Sequence, residues 1–174
     1  LIPEEKKYLS IESKWGALPY LEVARKSELT IDTTNQLVNF CKEIGIPLIF
    51  SVTDIESLMF VVEETDTRQI KLHSDAVDCV EIIRYCSERE LETYVPIKYF
   101  TYVQQYFRKG KKPLLLYHTT EDFPPKIEEL ELSKMDKYVT QGFRVGYEGR
   151  EEGIFPTMAV AYKGIEYIEK YLGE

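Results

Sequence analysis

No stretch of this 174-residue chain holds an apolar run near the roughly eighteen residues that a membrane-crossing helix needs, so a helical membrane protein is excluded. Low-complexity tracts are absent, and so are internal repeats with a period of roughly 20 to 50 residues, which removes disordered, collagen-like and solenoid classes. Neither GxGxxG nor GxxxxGK[ST] occurs, which leaves the usual dinucleotide and nucleotide-phosphate loops without support. Positive charge is in deficit: 22 Lys and Arg stand against 30 Asp and Glu, a net charge of −8. Bulk attraction to nucleic acid or an anionic membrane is therefore not expected. The one concentration of basic residues, Arg108, Lys109, Lys111 and Lys112 around Gly110, reads as a solvated loop or as a local phosphate or partner site. Cys41, Cys79 and Cys86 form no CxxC pair and fall on apolar helix faces, as free cysteines do in a reducing cytoplasm. The chain opens on Leu1, and LIPEEKKYLS lacks the basic and apolar regions of a leader, so an N-terminus that is trimmed or incomplete is expected.

What is present is an alternation of short apolar strands with amphipathic helices, in enough apolar material for a single core. Strands are expected at 47–52, 68–74, 93–99, 113–119, 143–147 and 166–172, with a further candidate at 7–12. They are continuous apolar runs, the pattern of a sheet covered on both faces. Thr30 or Asp32 caps a helix whose stripe Leu37, Cys41, Ile44 ends at Gly45. Asp54 precedes Ile55, Leu58, Met59 and Val62, and Asp78 precedes Cys79, Ile82, Ile83 and Cys86, both at helical spacing. Further helices are expected around Tyr102 to Phe107 and over 157–163. Short loops between these units make consecutive strands parallel neighbours, in an open doubly wound sheet or a TIM-type (β/α) barrel. A complete barrel needs about 250 residues, so with six or seven strands the barrel would be incomplete.

In a parallel barrel the reacting groups stand at the C-terminal ends of the strands. Period-two alternation in RQIKLHS sends Ile70 and Leu72 to the helix-covered face, and Gln69, Lys71 and His73 to the lumen. An inward lysine needs a carboxylate partner or an anionic ligand, so Lys71 is either a structural ion pair or a ligand site. His118 ends the most hydrophobic strand, PLLLYHT; a hydrogen-bonded structural role and a metal-ligand role are both open to it. Ser51 and Ser74 also lie at strand ends, but neither lies in GxSxG. The acidic run Glu148, Glu151, Glu152 around Arg150 reads as a solvated loop. Tyr99, Phe100, Tyr102, Tyr106 and Phe107 have the helical spacing of core packing rather than of a stacking platform.

Five segments in series resemble the N-acetylneuraminate (sialic acid) synthases and their relatives that make nonulosonic acids. ELTIDTTNQLVNFCKEIGIPLIFSVTDIES is similar to that family's helix ending in EIGI, with its strand and following serine-bearing turn. IKLHSD resembles K-I-x-S-G, LLLYHTTEDFPP resembles L-L-H-C-T-S-x-Y-P, GYEGREEGI resembles G-Y-S-D-H-T-x-G-I, and GIEYIEKYL resembles G-A-x-x-I-E-K-H-F. The resemblance implies a single TIM-type barrel domain over 1–174, its N-terminal βα unit missing or altered. It implies the condensation of phosphoenolpyruvate with an N-acetylated sugar such as N-acetylmannosamine, assisted by Mn²⁺ or another divalent metal. Carried over by position, Lys71 and Ser74 meet phosphoenolpyruvate, and His118 is the first metal-binding histidine.

The departures are specific. The second metal-histidine position holds Arg150, the Ser-Asp before it is Glu148-Gly149, and the histidine of E-K-H-F is Tyr171. A guanidinium brings a fixed positive charge to a place where a cation would bind. Three expectations follow: an active phosphoenolpyruvate-dependent synthase on Lys71, Ser74 and His118; a non-catalytic relative that binds an anionic sugar or phosphate with Arg150 in place of the metal's charge; or an interaction subunit. An unclosed barrel exposes strand edges, so a homo-oligomer such as a dimer, or a partner subunit, is expected as well.

Overall fold

The computed structural model describes residues 10–13, 16–107, 114–165 and 167–171. The basic cluster Arg108, Lys109, Lys111 and Lys112 lies outside the described residues, as do residues 7–9 of the candidate first strand and Leu172 at the end of the last. The chain divides into two compact units, Leu1–Leu48 and Ile49–Glu174.

The first unit holds β1 (Ser10–Ser13) paired antiparallel with β2 (Gly16–Pro19), followed by α1 (Tyr20–Ser27) and α2 (Ile31–Ile44). The expected strand at 7–12 is thus a hairpin arm where it is described, not a parallel barrel strand. Of the two expected caps for α2, Thr30 is the one used: its Oγ1 accepts the Thr33 amide. Gly45 ends α2 at φ 71°, a left-handed conformation that any side chain would strain.

The second unit carries the barrel strands β3 (Phe50–Val52), β4 (Gln69–Leu72), β5 (Glu92–Pro96), β6 (Leu114–Thr119), β7 (Arg144–Gly149) and β8 (Tyr167–Lys170). They form one six-stranded sheet in sequential order, every neighbouring pair parallel. Between them run α3 (Ile55–Thr65), α4 (Val80–Glu88), α5 (Phe100–Val103), α6 (Lys134–Thr140) and α7 (Phe155–Tyr162). Asp54 caps α3 by accepting the Ser57 amide at 2.7 Å, whereas α4 starts at Val80, after Cys79, with no side-chain cap. Thr93–Tyr99 ends as a strand at Pro96, because Ile97–Tyr99 turns into a 3₁₀ helix. This is an incomplete TIM-type barrel.

The helix-covered face carries the main core, in which Ile70, Leu72, Ile82, Ile83, Val95, Leu116 and Val145 are buried. Phe100 joins it, with Tyr99, Tyr102, Tyr106 and Phe107 packed alongside, so the aromatic run is core packing. The opposite, lumen face has a smaller apolar cluster of Tyr94, Leu115 and Tyr117, flanked by Tyr167. Among the described residues no helix is long and apolar enough to cross a membrane.

Candidate functional site

The ladder register stacks the lumen side chains in layers. Lys71 lies beside Ser51 and Tyr94, Tyr117 beside Gly146, and Thr119 beside Glu148, which is itself beside Glu169. Polar groups therefore collect toward the C-terminal ends of the strands, where the connecting loops add theirs.

Glu148 is the centre of this arrangement. Its side chain is 2% exposed, and it accepts Lys71 Nζ at 2.9 Å on Oε2 and Arg150 Nε at 2.6 Å on Oε1. The Tyr171 hydroxyl reaches the same Oε1 at 3.4 Å. Burial pushes the Glu148 carboxyl up, but the hydrogen bonds and charges of Lys71 and Arg150 outweigh it and hold it below the usual carboxylate range. The same contact works on Arg150 in the opposite sense: burial lowers its pKa, and Glu148 more than restores it. Lys71 has a second partner, Glu169 on β8, at 2.7 Å, whose side chain is half exposed. Its ammonium also stands 4.7 Å above the Tyr117 ring, a cation–π contact. Tyr117 is fixed in turn by donating its hydroxyl to the Leu72 carbonyl at 2.7 Å.

A second carboxylate joins from the loop after β6. Glu121 accepts Ser74 Oγ at 2.7 Å and Lys98 Nζ, and its own carbonyl accepts Arg150 Nη1 at 3.2 Å. Burial raises its pKa, but Lys98 and Ser74 lower it further, so it too is ionised. Lys71 and Ser74, neighbours in sequence, thus meet the distant Arg150 in one continuous network. Its cations Lys71, Lys98 and Arg150 are matched by the carboxylates of Glu121, Glu148 and Glu169.

His118 is placed differently. It lies one residue out of phase with Tyr117 and pairs in register with Tyr147, a core residue, against whose ring it stacks at 6.4 Å. It is 7% exposed, and its Nε2 is 2.7 Å from the Leu130 carbonyl. Burial lowers its pKa, and the hydrogen bond only partly opposes this. A divalent metal fits these residues poorly. Among the described residues no three His, Cys, Asp or Glu side chains come together to hold one, Nε2 of His118 is occupied, and Arg150 is ion-paired with the buried Glu148.

The acidic run is not a solvated loop. Glu148 and Glu151 are both buried, and only Glu152 is exposed. Glu151 accepts Tyr147 and Thr157 hydroxyls at 2.8 Å each and pairs with Lys170 at 3.0 Å, which ties β7 to α7 and β8. Arg144, Gly146 and Glu148 alternate with Val145 and Tyr147, so the period-two signal for an inward Glu148 was present in the sequence. Lys98 and Glu121 sit in irregular segments that carry no such signal.

A family-wide comparison matches residues 2–173 to the NeuB family. The chain belongs to the NeuB family. No curated protein matches this NeuB-family chain in sequence. Among solved structures it is similar to the N-acetylneuraminic acid (sialic acid) synthetase of Leptospira borgpetersenii serovar Hardjo-bovis in complex with citrate, at 17% identity and a TM-score of 0.80, over 89% of this chain and 56% of that one. A putative spore coat polysaccharide biosynthesis protein E of Chromobacterium violaceum shares 20% identity at a TM-score of 0.80, over 90% and 49%. A spore coat polysaccharide biosynthesis protein of Bacillus subtilis shares 15% at 0.72, over 96% and 48%. The NeuB-family chain therefore spans about half the length of these structures, with which it shares the fold.

Proposed function

We propose that this NeuB-family chain is a cytoplasmic, non-catalytic relative of the nonulosonic acid synthases, which binds a small anion such as phosphoenolpyruvate or an anionic sugar at the strand ends without a metal. The observation that carries this reading is the division of labour around Lys71. Glu148 is buried and also holds Arg150, so it fixes Lys71 in place. Glu169 is half exposed, and an exposed carboxylate contributes little to holding the ammonium. An incoming carboxylate or phosphate takes the place of Glu169 on Lys71, while Arg150 supplies the fixed positive charge that a metal supplies in the synthases. Ser74 and Lys98, joined through Glu121, offer donors on the neighbouring side.

The test is calorimetric titration of the chain with phosphoenolpyruvate, with and without Mn²⁺. Binding that ignores Mn²⁺, is lost in Lys71→Ala and strengthens in Glu169→Gln is the expected result. No binding, or binding that needs Mn²⁺, refutes it; metal-dependent turnover with an N-acetylated sugar would restore the synthase reading. The sheet favours a second reading alongside the first. Its strands run from β3 to β8 without closing among the described residues, so assembly as a dimer or with another subunit is expected. A monomer in analytical ultracentrifugation refutes that part.

A further inference from the structure

Residues 153–162, which include the whole of α7, hold no charged side chain, in a chain where 30% of residues are charged. Within α7 only Val160 is buried, and Thr157 donates its hydroxyl inward to the buried Glu151 at 2.8 Å. At about 3.6 residues per turn, Phe155, Met158, Ala159 and Tyr162 fall on the opposite side of the helix. All four are exposed, Phe155 to 81% and Tyr162 to 95%, and Ile154 just ahead of the helix is exposed as well. Phe155 and Tyr162 alone present about 350 Å², and Ile154 and Met158 bring the patch to about 550 Å², the upper end of what a monomer leaves open to water. Its place on the helix matters as much as its size. In a parallel barrel the neighbours of a helix stand to either side of it, so a further element of the barrel wall leaves this outward stripe uncovered.

We propose that the outer face of α7 is the contact between two copies of this chain, paired antiparallel about a two-fold axis between Met158 and Ala159. The stripe is self-complementary in that arrangement. Tyr162 of each copy meets Phe155 of the other, and Ala159 is small enough at the crossing for the helices to approach closely. Charge favours the same occupant. A net charge of −8 sets most of the surface against a second copy, whereas an uncharged stripe meets its own image without opposed like charges. At the ends, Lys163, which also holds Asp136, comes beside the exposed Glu152 that precedes the other helix. The two stripes together bury about 1,100 Å², the lower end of specific interfaces, so the dimer forms and parts with concentration.

This rests on the reading that the chain assembles with another, and places the contact on α7 rather than on the open strand edges. Sedimentation velocity, from micromolar to near-millimolar concentration, compares the wild-type chain with the double variant Phe155→Glu, Tyr162→Glu, which sets carboxylates against each other across the axis. Both positions are exposed, so the fold survives, which far-UV circular dichroism checks; Tyr162→Glu alone, at the last residue of α7, is the milder variant. Expected is a wild-type monomer–dimer equilibrium, with association at least about tenfold weaker in the double variant. Met158→Cys, next to the axis, oxidises to a covalent dimer that the wild type, with Cys41 and Cys86 buried and Cys79 half-buried, does not form. A wild-type chain that stays monomeric throughout overturns this contact together with the assembly reading. A dimer that both charge variants leave intact overturns the contact alone and returns the interface to the strand edges. Met158→Cys that yields no covalent dimer while the wild type associates overturns the two-fold pairing.

Discussion

Glu148→Gln isolates what the central carboxylate contributes. The substitution keeps the size of the side chain but removes the charge between two cations whose side chains are only 11% and 13% exposed. Each of its two short contacts is charge-assisted, a class with a net contribution of about 1.5–3 kcal/mol. One amide oxygen can still accept from Lys71 or Arg150, and Lys71 keeps Glu169, so the loss is below the sum. Removing one partner of a buried pair costs about 3–5 kcal/mol, and the surviving contacts put the expected loss near the lower bound, about 3 kcal/mol. For a chain of this size that lowers Tm by roughly 6–12 °C. Urea unfolding followed by circular dichroism at pH 7 measures it. The same variant frees Lys71 and Arg150 for an added anion, so phosphoenolpyruvate raises its Tm more than that of the wild type. A stability within about 0.5 kcal/mol of wild type, the scatter of surface substitutions, refutes the claim that Glu148 holds the site together. The pH sign agrees: a carboxyl with a depressed folded pKa stabilises above its unfolded value of about 4.3 and loses that contribution as pH falls through the folded one. The difference between wild type and Glu148→Gln should therefore shrink in acid.

His118 gives a second pH signature. Its folded pKa lies below the unfolded value of about 6.5, so the unfolded chain binds the extra proton first. Its contribution is complete above about pH 6.5 and is lost as pH falls through the folded value; His118→Asn, which can still donate to Leu130, should flatten Tm over that range, and an unchanged profile refutes the assignment. Gly146→Ala tests the spacing of β7 and β8. Its Cβ would stand 3.1 Å from Leu115 Cδ2, from Tyr167 Cβ and from the Tyr167 carbonyl oxygen, so a loss of about 1–3 kcal/mol is expected in denaturant unfolding. A neutral result would show that the two strands can part without cost.

The sequence by itself determined the order of elements and the sheet they build. Helical spacing in Leu58 to Val62 and Ile82 to Cys86, alternating with short runs such as PLIFSV and LLLYHT, left parallel strands in a barrel or an open doubly wound sheet, and the sheet is parallel throughout. Alternation in QIKL also placed Lys71 in the lumen, because Ile70 and Leu72 claim the helix side. The same rule could not place His118: in LLLYHT both faces are apolar, so nothing in the string tells which side Tyr117 and His118 take. Packing decided it, with Tyr117 drawn to the Leu72 carbonyl and His118 to Leu130. Glu148 and Arg150 read as solvated charges because their partners beyond one another, Lys71, Glu121 and Tyr171, lie far off in the chain. Ion pairing depends on distance in space, and only the curl of the six-stranded sheet, which turns β4 toward β7 and β8 across the lumen, brought those charges within reach.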